Sequence, residues 1–252
     1  SSEVLAQPAL SGKLVLIRSV DGKLAALDID NGRQVWGASQ SVPRLSVRGT
    51  AAPVVTNNLV ISGFDNGWLA AFDLSDGSQV WNLLLGAPQG RTEIERLADL
   101  NATVQAVGND LYAVGYQGRL ASVAIESGQL LWSRELSSYA GLAADFNNLY
   151  ISGQNSELVA VARRSGRQLW QMDTLYNRDI TGPSAFGSSV VVGDYEGYLH
   201  WFDPTNGELQ TRVRAGSDRI TTAPLVVSET LYVVTDGGKL FAFRGVEPKR
   251  ES

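Results

Sequence analysis

The chain has 252 residues, of which 44% are apolar and 19% charged, and it contains no cysteine. This composition is that of an ordinary globular protein, and it excludes disulfides, thiolate metal sites and cysteine nucleophiles within these residues. The net charge of −5 with scattered basic residues argues against nucleic acid as a partner, and no apolar run approaches the roughly 18 residues of a membrane span.

A phrase that starts at a turn and ends at a tryptophan recurs along the chain. It runs first from Asp21 to Trp36, and three further copies end at Trp81, Trp132 and Trp170. With two weaker copies, the aligned leading positions are Gly22, Gly67, Gly118, Ser156, Gly197 and Gly238. Their spacings of 45, 51, 38, 41 and 41 residues, with several short strands per copy, indicate the blades of a β-propeller.

The second copy serves as the model for one blade. Four apolar segments, 50–56, 58–62, 68–72 and 79–83, are separated by turn residues, and two of the turns end in Gly67 and Gly77. Glycine adopts the positive φ that tight hairpins require, so we predict four antiparallel strands, with the tryptophan on the fourth and packed between blades.

The same template predicts the first strand of every blade. These strands fall near 4–10, 50–56, 101–107, 140–145, 181–186 and 221–227. The chain is thus expected to be all-β, with about five and three-quarter four-stranded blades in one propeller domain over 1–245 and a polar tail over 246–252. Because an open last blade leaves unpaired edges, either a six-bladed ring closes imperfectly or N-terminal blades are missing.

The links between blades carry the candidate binding residues. The link 38–49 holds Leu45, Val47 and Arg48, and a stretched link from Gly86 to Asn101 accounts for the spacing of 51. Such links emerge on one face of a propeller, so these three residues are expected near Asp99 and Asn101 on the adjacent blade. Apolar side chains beside an arginine and acidic groups suit a protein interface.

Further residues extend this predicted patch. The stretched link offers charged side chains, and a later link, 172–180, brings three more residues to the same face. The candidates are Arg91, Glu93, Arg96, Leu175, Tyr176 and Arg178. Two structural alternatives stay open: Leu45 and Val47 begin an inner strand while Arg48 pairs locally, and the link 172–180 packs against the ring.

Other conspicuous polar residues have a structural interpretation. The repeated Asp28, Asp73 and Asp203 each precede a turn, where a short carboxylate accepts hydrogen bonds from backbone N–H groups. His200 is the only histidine and has no histidine or cysteine nearby to complete a metal site, so we assign it to strand packing.

The repeat also resembles a known superfamily. The spacing from Ala26 through Asp28 and Gly32 to Trp36 is similar to the tryptophan-docking repeat of propellers of the pyrroloquinoline-quinone type, which normally close with eight blades. Within that superfamily, the segments 45–49, 92–99 and 193–201 closely resemble the family of the outer-membrane assembly factor BamB.

The resemblance implies a non-enzymatic scaffold without a cofactor. Its family members are periplasmic lipoproteins on the outer membrane that bind the POTRA domains of the subunit BamA and assist the insertion of outer-membrane proteins, with nascent chains as possible further partners. The resemblance implies BamA contacts at Leu45, Val47, Arg48, Asp99 and Asn101. Here Asn101 stands where the family has a second aspartate and Val47 where leucine is usual. About two N-terminal blades and the lipid-bearing cysteine, the only membrane attachment, would be absent from this chain.

Two other functions remain open. A quinone-dependent dehydrogenase shares the docking repeat, but such enzymes show a vicinal cysteine pair and a calcium site that are not evident in this sequence. A ligand-binding or sensor propeller would need a polar opening at the ring axis, for which the sequence offers no distinctive lining.

Overall fold

A computed structural model describes residues 2–40, 51–64, 67–85, 99–116, 119–138 and 140–244, with the backbone alone for 99–103 and 116. These residues form 23 β-strands. Within the same ranges there is no helix that could cross a membrane. The chain divides into two compact units, residues 1–139 and 140–252.

The first unit holds three antiparallel four-stranded sheets, each a meander in chain order. Their strands are β1 (Ala9–Ser11), β2 (Leu14–Arg18), β3 (Lys23–Asp28) and β4 (Gln34–Ser39); β5 (Val54–Thr56), β6 (Leu59–Gly63), β7 (Trp68–Asp73) and β8 (Gln79–Leu84); and β9 (Asp99–Val107), β10 (Asp110–Tyr116), β11 (Arg119–Ala124) and β12 (Leu130–Glu135).

The second unit holds two four-stranded sheets and one of three strands. Their strands are β13 (Leu142–Ala144), β14 (Asn148–Ser152), β15 (Leu158–Ala162) and β16 (Gln168–Met172); β17 (Ser184–Phe186), β18 (Ser189–Gly193), β19 (Tyr198–Phe202) and β20 (Leu209–Arg214); and β21 (Leu225–Val227), β22 (Thr230–Val234) and β23 (Leu240–Arg244). The predicted five whole blades and three strands of a sixth are confirmed for the described residues.

Most first strands are shorter than the repeat predicted. β1, β5, β17 and β21 each begin directly after a proline, and these prolines are Pro8, Pro53, Pro183 and Pro224. Proline has no N–H to donate to a ladder, so regular pairing starts only after it. β9 differs in the other direction, since a bulge in its pairing with β10 extends it back to Asp99.

The blades pack face to face about their first strands. In the first unit β1 lies beside β5 and β5 beside β9, and in the second unit β13 lies beside β17 and β17 beside β21. The apolar cores lie between the sheets: Leu16 and Leu24 of one blade pack with Val60 and Phe72 of the next. This arrangement is the β-propeller fold that the repeat predicts.

The terminal tryptophans connect neighbouring blades, as predicted. Trp81 on β8 donates from Nε1 to the carbonyl oxygen of Ile125 in the next blade, at 2.8 Å. Trp170 on β16 does the same with Pro204, at 2.9 Å. Each indole thereby buries apolar area and satisfies its N–H group at once.

The repeated aspartates cap turns, which confirms the structural interpretation. Oδ1 of Asp28 accepts from the N–H groups of Asp30 and Asn31, and Oδ1 of Asp203 accepts from that of Thr205. At Asp73 the hydroxyl and the N–H group of Ser75 bind the carboxylate and lower its pKa.

Candidate partner-binding surface

One end of each blade carries both the turn between its second and third strands and the start of the following link; we call it the turn end. In the first unit the N–H group of Gln40 donates to the carbonyl oxygen of Gly22. The N–H group of Leu85 donates to the carbonyl oxygen of Gly67. In the second unit Ala215 bonds Gly197 in the same way. In each unit these links therefore leave their own blades at the turn end.

Most of the predicted patch cannot be placed. Leu45, Val47 and Arg48 lie outside the described residues, and so do Arg91, Glu93 and Arg96. Asp99 and Asn101 belong to strand β9 rather than to the link that was expected to hold them. Asp99 pairs with Tyr116, the residue that ends β10, so its backbone lies at the turn end of the third blade.

The link between the fourth and fifth blades is described in full. Its three candidate residues, Leu175, Tyr176 and Arg178, lie in different environments. Leu175 is only 5% exposed and packs with Ile180 and Val192, so for this residue the alternative of packing holds. Tyr176 is 62% exposed and is available to a partner. Arg178 turns back toward the fifth blade.

Arg178 joins a buried ionic cluster on that blade. Its Nε lies 2.7 Å from Oδ2 of Asp194, and its Nη2 contacts the carboxylate of Glu196. Nε2 of His200 lies 2.9 Å from the same oxygen of Asp194. Asp194 and His200 are almost fully buried, whereas the carboxylate of Glu196 is half-exposed. The arginine therefore fixes the link to the blade through a shielded carboxylate.

The environment of Asp194 keeps it ionised. Burial alone would raise the pKa of this carboxyl, but hydrogen bonds from His200, from the N–H group of Tyr198 and from Arg178 outweigh the burial and lower the pKa to about 2. A carboxylate with such a pKa only accepts hydrogen bonds near neutral pH, so Nε2 of His200 is the donor.

Local turn chemistry explains why an aspartate stands here. Position 194 begins the turn that leads to Gly197, whose φ is 80°. Oδ1 of Asp194 accepts from the N–H groups of Glu196 and Tyr198, which leaves Oδ2 for the two side-chain donors. The equivalent position in the first two blades is Ser19 or Phe64, so the ionic cluster is a local departure from the repeat.

An exposed tyrosine stacks on this cluster, and a second lies in the same link as Arg178. The guanidinium of Arg178 lies over the ring of Tyr195, 5.5 Å from its centroid, and Tyr195 is 43% exposed. The N–H group of Tyr195 bonds the carbonyl oxygen of Arg178, so the two loops hold each other. Tyr176 lies two residues before Arg178 in that link. Rigid, partly exposed aromatic side chains beside charges are typical anchors of protein interfaces.

Arg219 connects the link 172–180 to the link between the fifth and sixth blades, on which it lies. Arg219 donates from Nη2 to Asp179 at 2.8 Å, and its Nε lies 3.7 Å from Asp236. The N–H group of Asp236 bonds the carbonyl oxygen of Arg219. Turn ends of three successive blades are thus cross-linked within the second unit.

Among the described residues, the Asp194–His200 pair does not continue to a nucleophile. An Asp–His pair supports a nucleophile only when the other imidazole nitrogen reaches a hydroxyl or thiol, and Nδ1 of His200 has no hydrogen-bond partner in the described residues. Nor does the described part of the chain group three histidine, aspartate or glutamate side chains for a metal ion.

The cluster was not predicted, because His200 is the only histidine and was interpreted without its neighbours across the hairpin. The ladder pairs His200 with Val192, two residues before Asp194. Counting back across the hairpin from Gly197 would have brought the histidine and the aspartate together. The partnership with Arg178 had no such signal, since it joins a link to a hairpin of the following blade.

Comparison with known proteins gives one family over almost all of the chain. The family model for the outer membrane protein assembly factor BamB matches residues 1–172 and 154–247. Proteins of that name from Pseudomonas aeruginosa and Vibrio cholerae are 40% and 37% identical to it over 94% of the chain. The chain spans 50% and 62% of the lengths of these two relatives.

Solved structures give the same grouping. The crystal structure of BamB from Moraxella catarrhalis matches 97% of the chain and 73% of its own length, with a TM-score of 0.92 and 30% identity. The computationally designed Ika8 protein matches with a TM-score of 0.73 at 18% identity, which supports the fold alone.

Proposed function

Because the chain belongs to the family of the outer membrane protein assembly factor BamB, we propose that it is a non-enzymatic scaffold in the assembly of outer-membrane β-barrel proteins. It acts on the periplasmic face of the outer membrane, held there by a lipid anchor of the full-length protein. Its main partner is the periplasmic POTRA domains of BamA.

The proposed BamA site is supported by one observation: the links of the first unit start at the turn ends of their blades. Gln40 is held to Gly22 and Leu85 to Gly67, so the chain enters 41–50 and 86–98 at the turn ends of the first two blades. Asp99 lies at the turn end of the third. These positions support one docking patch formed by Leu45, Val47, Arg48, Asp99 and Asn101, with Arg91, Glu93 and Arg96 beside them.

The second unit has an exposed contact residue of its own at a turn end. In the link 172–180 we expect Tyr176 to contact the partner, since Leu175 is buried and Arg178 is paired with Asp194. Arg178 contributes by holding the loop, and its pairing reduces the ordering that a partner would otherwise have to impose.

Binding of the chain to the POTRA domains, measured by titration calorimetry, tests the proposal. Arg48→Glu and Asp99→Arg should each weaken binding about tenfold or more, as charge reversal at an interface does. The matched control is Arg33→Glu, because Arg33 is an exposed arginine in the turn between the third and fourth strands, away from the turn end. Equal affinity of all variants would refute the patch, and no binding of the parent chain would refute the scaffold role.

Nascent outer-membrane proteins are a second proposed partner. The fourth strands are the last strands of their sheets, and the residue before each tryptophan is an exposed apolar side chain, for example Val35 and Val80. An extended chain can add to such an edge and rest its side chains on these residues. Val35→Lys and Val80→Lys should then reduce binding of an unfolded outer-membrane protein, whereas an unchanged affinity would remove this role.

The quinone-dependent alternative has a direct test. Pyrroloquinoline quinone and calcium are added to the chain, and the bound chromophore and dye-linked turnover are measured. A stoichiometric chromophore with turnover would replace the scaffold proposal by an oxidoreductase.

A further inference from the structure

The fourth blade differs from the others in the turn between its third and fourth strands. This turn, residues 162–167, carries Arg163, Arg164 and Arg167 and no carboxylate. The equivalent turns, residues 28–33, 73–78, 124–129 and 203–208, each carry one or two carboxylates. Among these five turns, only the turn of the fourth blade carries arginines without a carboxylate.

An aromatic side chain stands beside these arginines. Phe146, in the turn between β13 and β14, is 80% exposed, which is more than any other large apolar residue in the described part of the chain. The guanidinium of Arg163 lies 5.8 Å from the centroid of its ring. At this exposure the phenylalanine ring keeps most of its apolar area in contact with water.

Hydrogen bonds join the two turns, and we call residues 145–147 and 162–167 together the platform. Nη1 of Arg163 donates to the carbonyl oxygen of Asp145, and the N–H group of Arg163 donates to the carbonyl oxygen of Asn147. The carboxylate of Asp145 is occupied by the N–H groups of Asn147 and Asn148 and by the hydroxyl of Tyr150. The one acidic side chain of the platform is thus used in its own turn.

Two of the arginines point to solvent. Arg164 and Arg167 are exposed, and neither forms an ion pair with any residue that the structure describes. With Phe146 they add two exposed cations and an apolar ring to the two joined turns. Acidic groups alternating with apolar side chains are the chemistry that complements this set.

We propose that Phe146, Arg163, Arg164 and Arg167 form a docking site for an acidic segment of a partner protein, separate from the BamA patch. The acidic turn beside the platform favours an extended peptide over an anionic bilayer as the ligand. Trp170 ties the fourth blade to Pro204, so the acidic turn 203–208 of the fifth blade lies next to the platform. A flat anionic membrane would press against Asp203 and Glu208, whereas a peptide follows the fourth blade alone.

Fluorescence anisotropy with the 252-residue chain tests this site. The probe is a fluorescein-labelled peptide of alternating glutamate and leucine, and its lysine–leucine counterpart serves as the control peptide. We expect the glutamate peptide alone to bind, with an affinity that falls as salt is raised because exposed ion pairs are screened.

Variants identify the surface. The double variant Arg164→Glu, Arg167→Glu should weaken binding about tenfold, and Phe146→Ser should weaken it by about fivefold. All three side chains are exposed, so these variants should fold normally, which thermal unfolding checks. The matched controls are Arg33→Glu, at the position of Arg167 in the first blade, and Leu10→Ser, at an apolar residue 67% exposed; both should bind like the parent chain.

Three results would overturn the proposal. The first is equal binding of the two peptides, and the second is unchanged binding of the glutamate peptide by the double variant. The third is binding to phosphatidylglycerol vesicles, lost in the double variant, without binding of the peptide, which would assign the platform to a membrane surface instead. Each is independent of whether the chain binds BamA.

Discussion

The indole ring of Trp36 lies directly over Gly77 of the neighbouring blade. A Cβ atom placed on Gly77 would come within 2.5 Å of Cε3 of the ring, and the φ of this glycine is +74°. The same relationship joins Trp81 to Gly128 and Trp170 to Gly207. The glycine of the repeated phrase thus has two separate reasons to be a glycine, its backbone conformation and the approach of a tryptophan.

Replacement of Gly77 separates these two reasons. Gly77→Ala should lower the free energy of unfolding by about 3 kcal/mol, roughly 1 from the positive φ and the rest from displacement of the buried ring. Gly32→Ala is the matched control, since Gly32 has a φ of +71° and open space around its Cβ position. It should cost about 1 kcal/mol. Urea unfolding measures both, and equal losses would show that the ring adjusts freely.

The tryptophan side of the contact is tested by Trp81→Phe. This change leaves the carbonyl oxygen of Ile125 without its donor and removes buried area, so it should cost about 2–3 kcal/mol. Trp201→Phe is the control, because Trp201 packs on Phe243 and its indole N–H bonds no described residue. If both variants lose the same stability in urea, the hydrogen bond across the blades contributes nothing.

Asp194 makes stability depend on pH. Its pKa is about 2 in the folded chain and near 3.8 when unfolded, so its contribution is fully present above about pH 4 and disappears as pH falls through 2. That contribution amounts to about 2 kcal/mol. Between pH 5 and pH 2 the free energy of unfolding should therefore fall about 2 kcal/mol further in the parent chain than in Asp194→Asn.

Asp21→Asn provides the comparison for that measurement. The pKa of Asp21 is also about 2, because Lys23 and Ser19 bind its carboxylate, but this pair is exposed to solvent. Its effect should be smaller and should shrink at high salt. Identical pH profiles for the parent chain and Asp194→Asn would contradict the assigned role of the buried cluster.

Arg178→Ala should be costly although it lies in a link. The change leaves the buried Asp194 without its cationic partner, and we expect a loss of about 3 kcal/mol in the free energy of unfolding. Arg219→Ala, which breaks the half-exposed pairs with Asp179 and Asp236, should cost less than about 1 kcal/mol. Thermal and urea unfolding compare the two, and a reversed order would show that Asp194 is relaxed by solvent.

Much of the fold could be predicted because local signals and packing coincide in each repeat. Gly77 marks a turn, Asp73 caps it and Trp81 ends the unit, so the same residues that form the hairpin also dock the next blade. The extents of the first strands were less predictable. Pro53 and Pro183 belong to the apolar segments, yet they end the ladder because they cannot donate.

The propeller fold, the number of blades and the structural role of the repeated aspartates follow from the amino-acid sequence, since they depend on short-range patterns that recur. The contacts made by the links between repeats become visible only when the chain is folded. Leu175 is buried while its neighbour Tyr176 is exposed, and His200 meets Asp194 and, through it, Arg178. Such contacts join a link to the hairpin of another blade, and their free energy comes from burial and charge pairing at positions that no local period specifies.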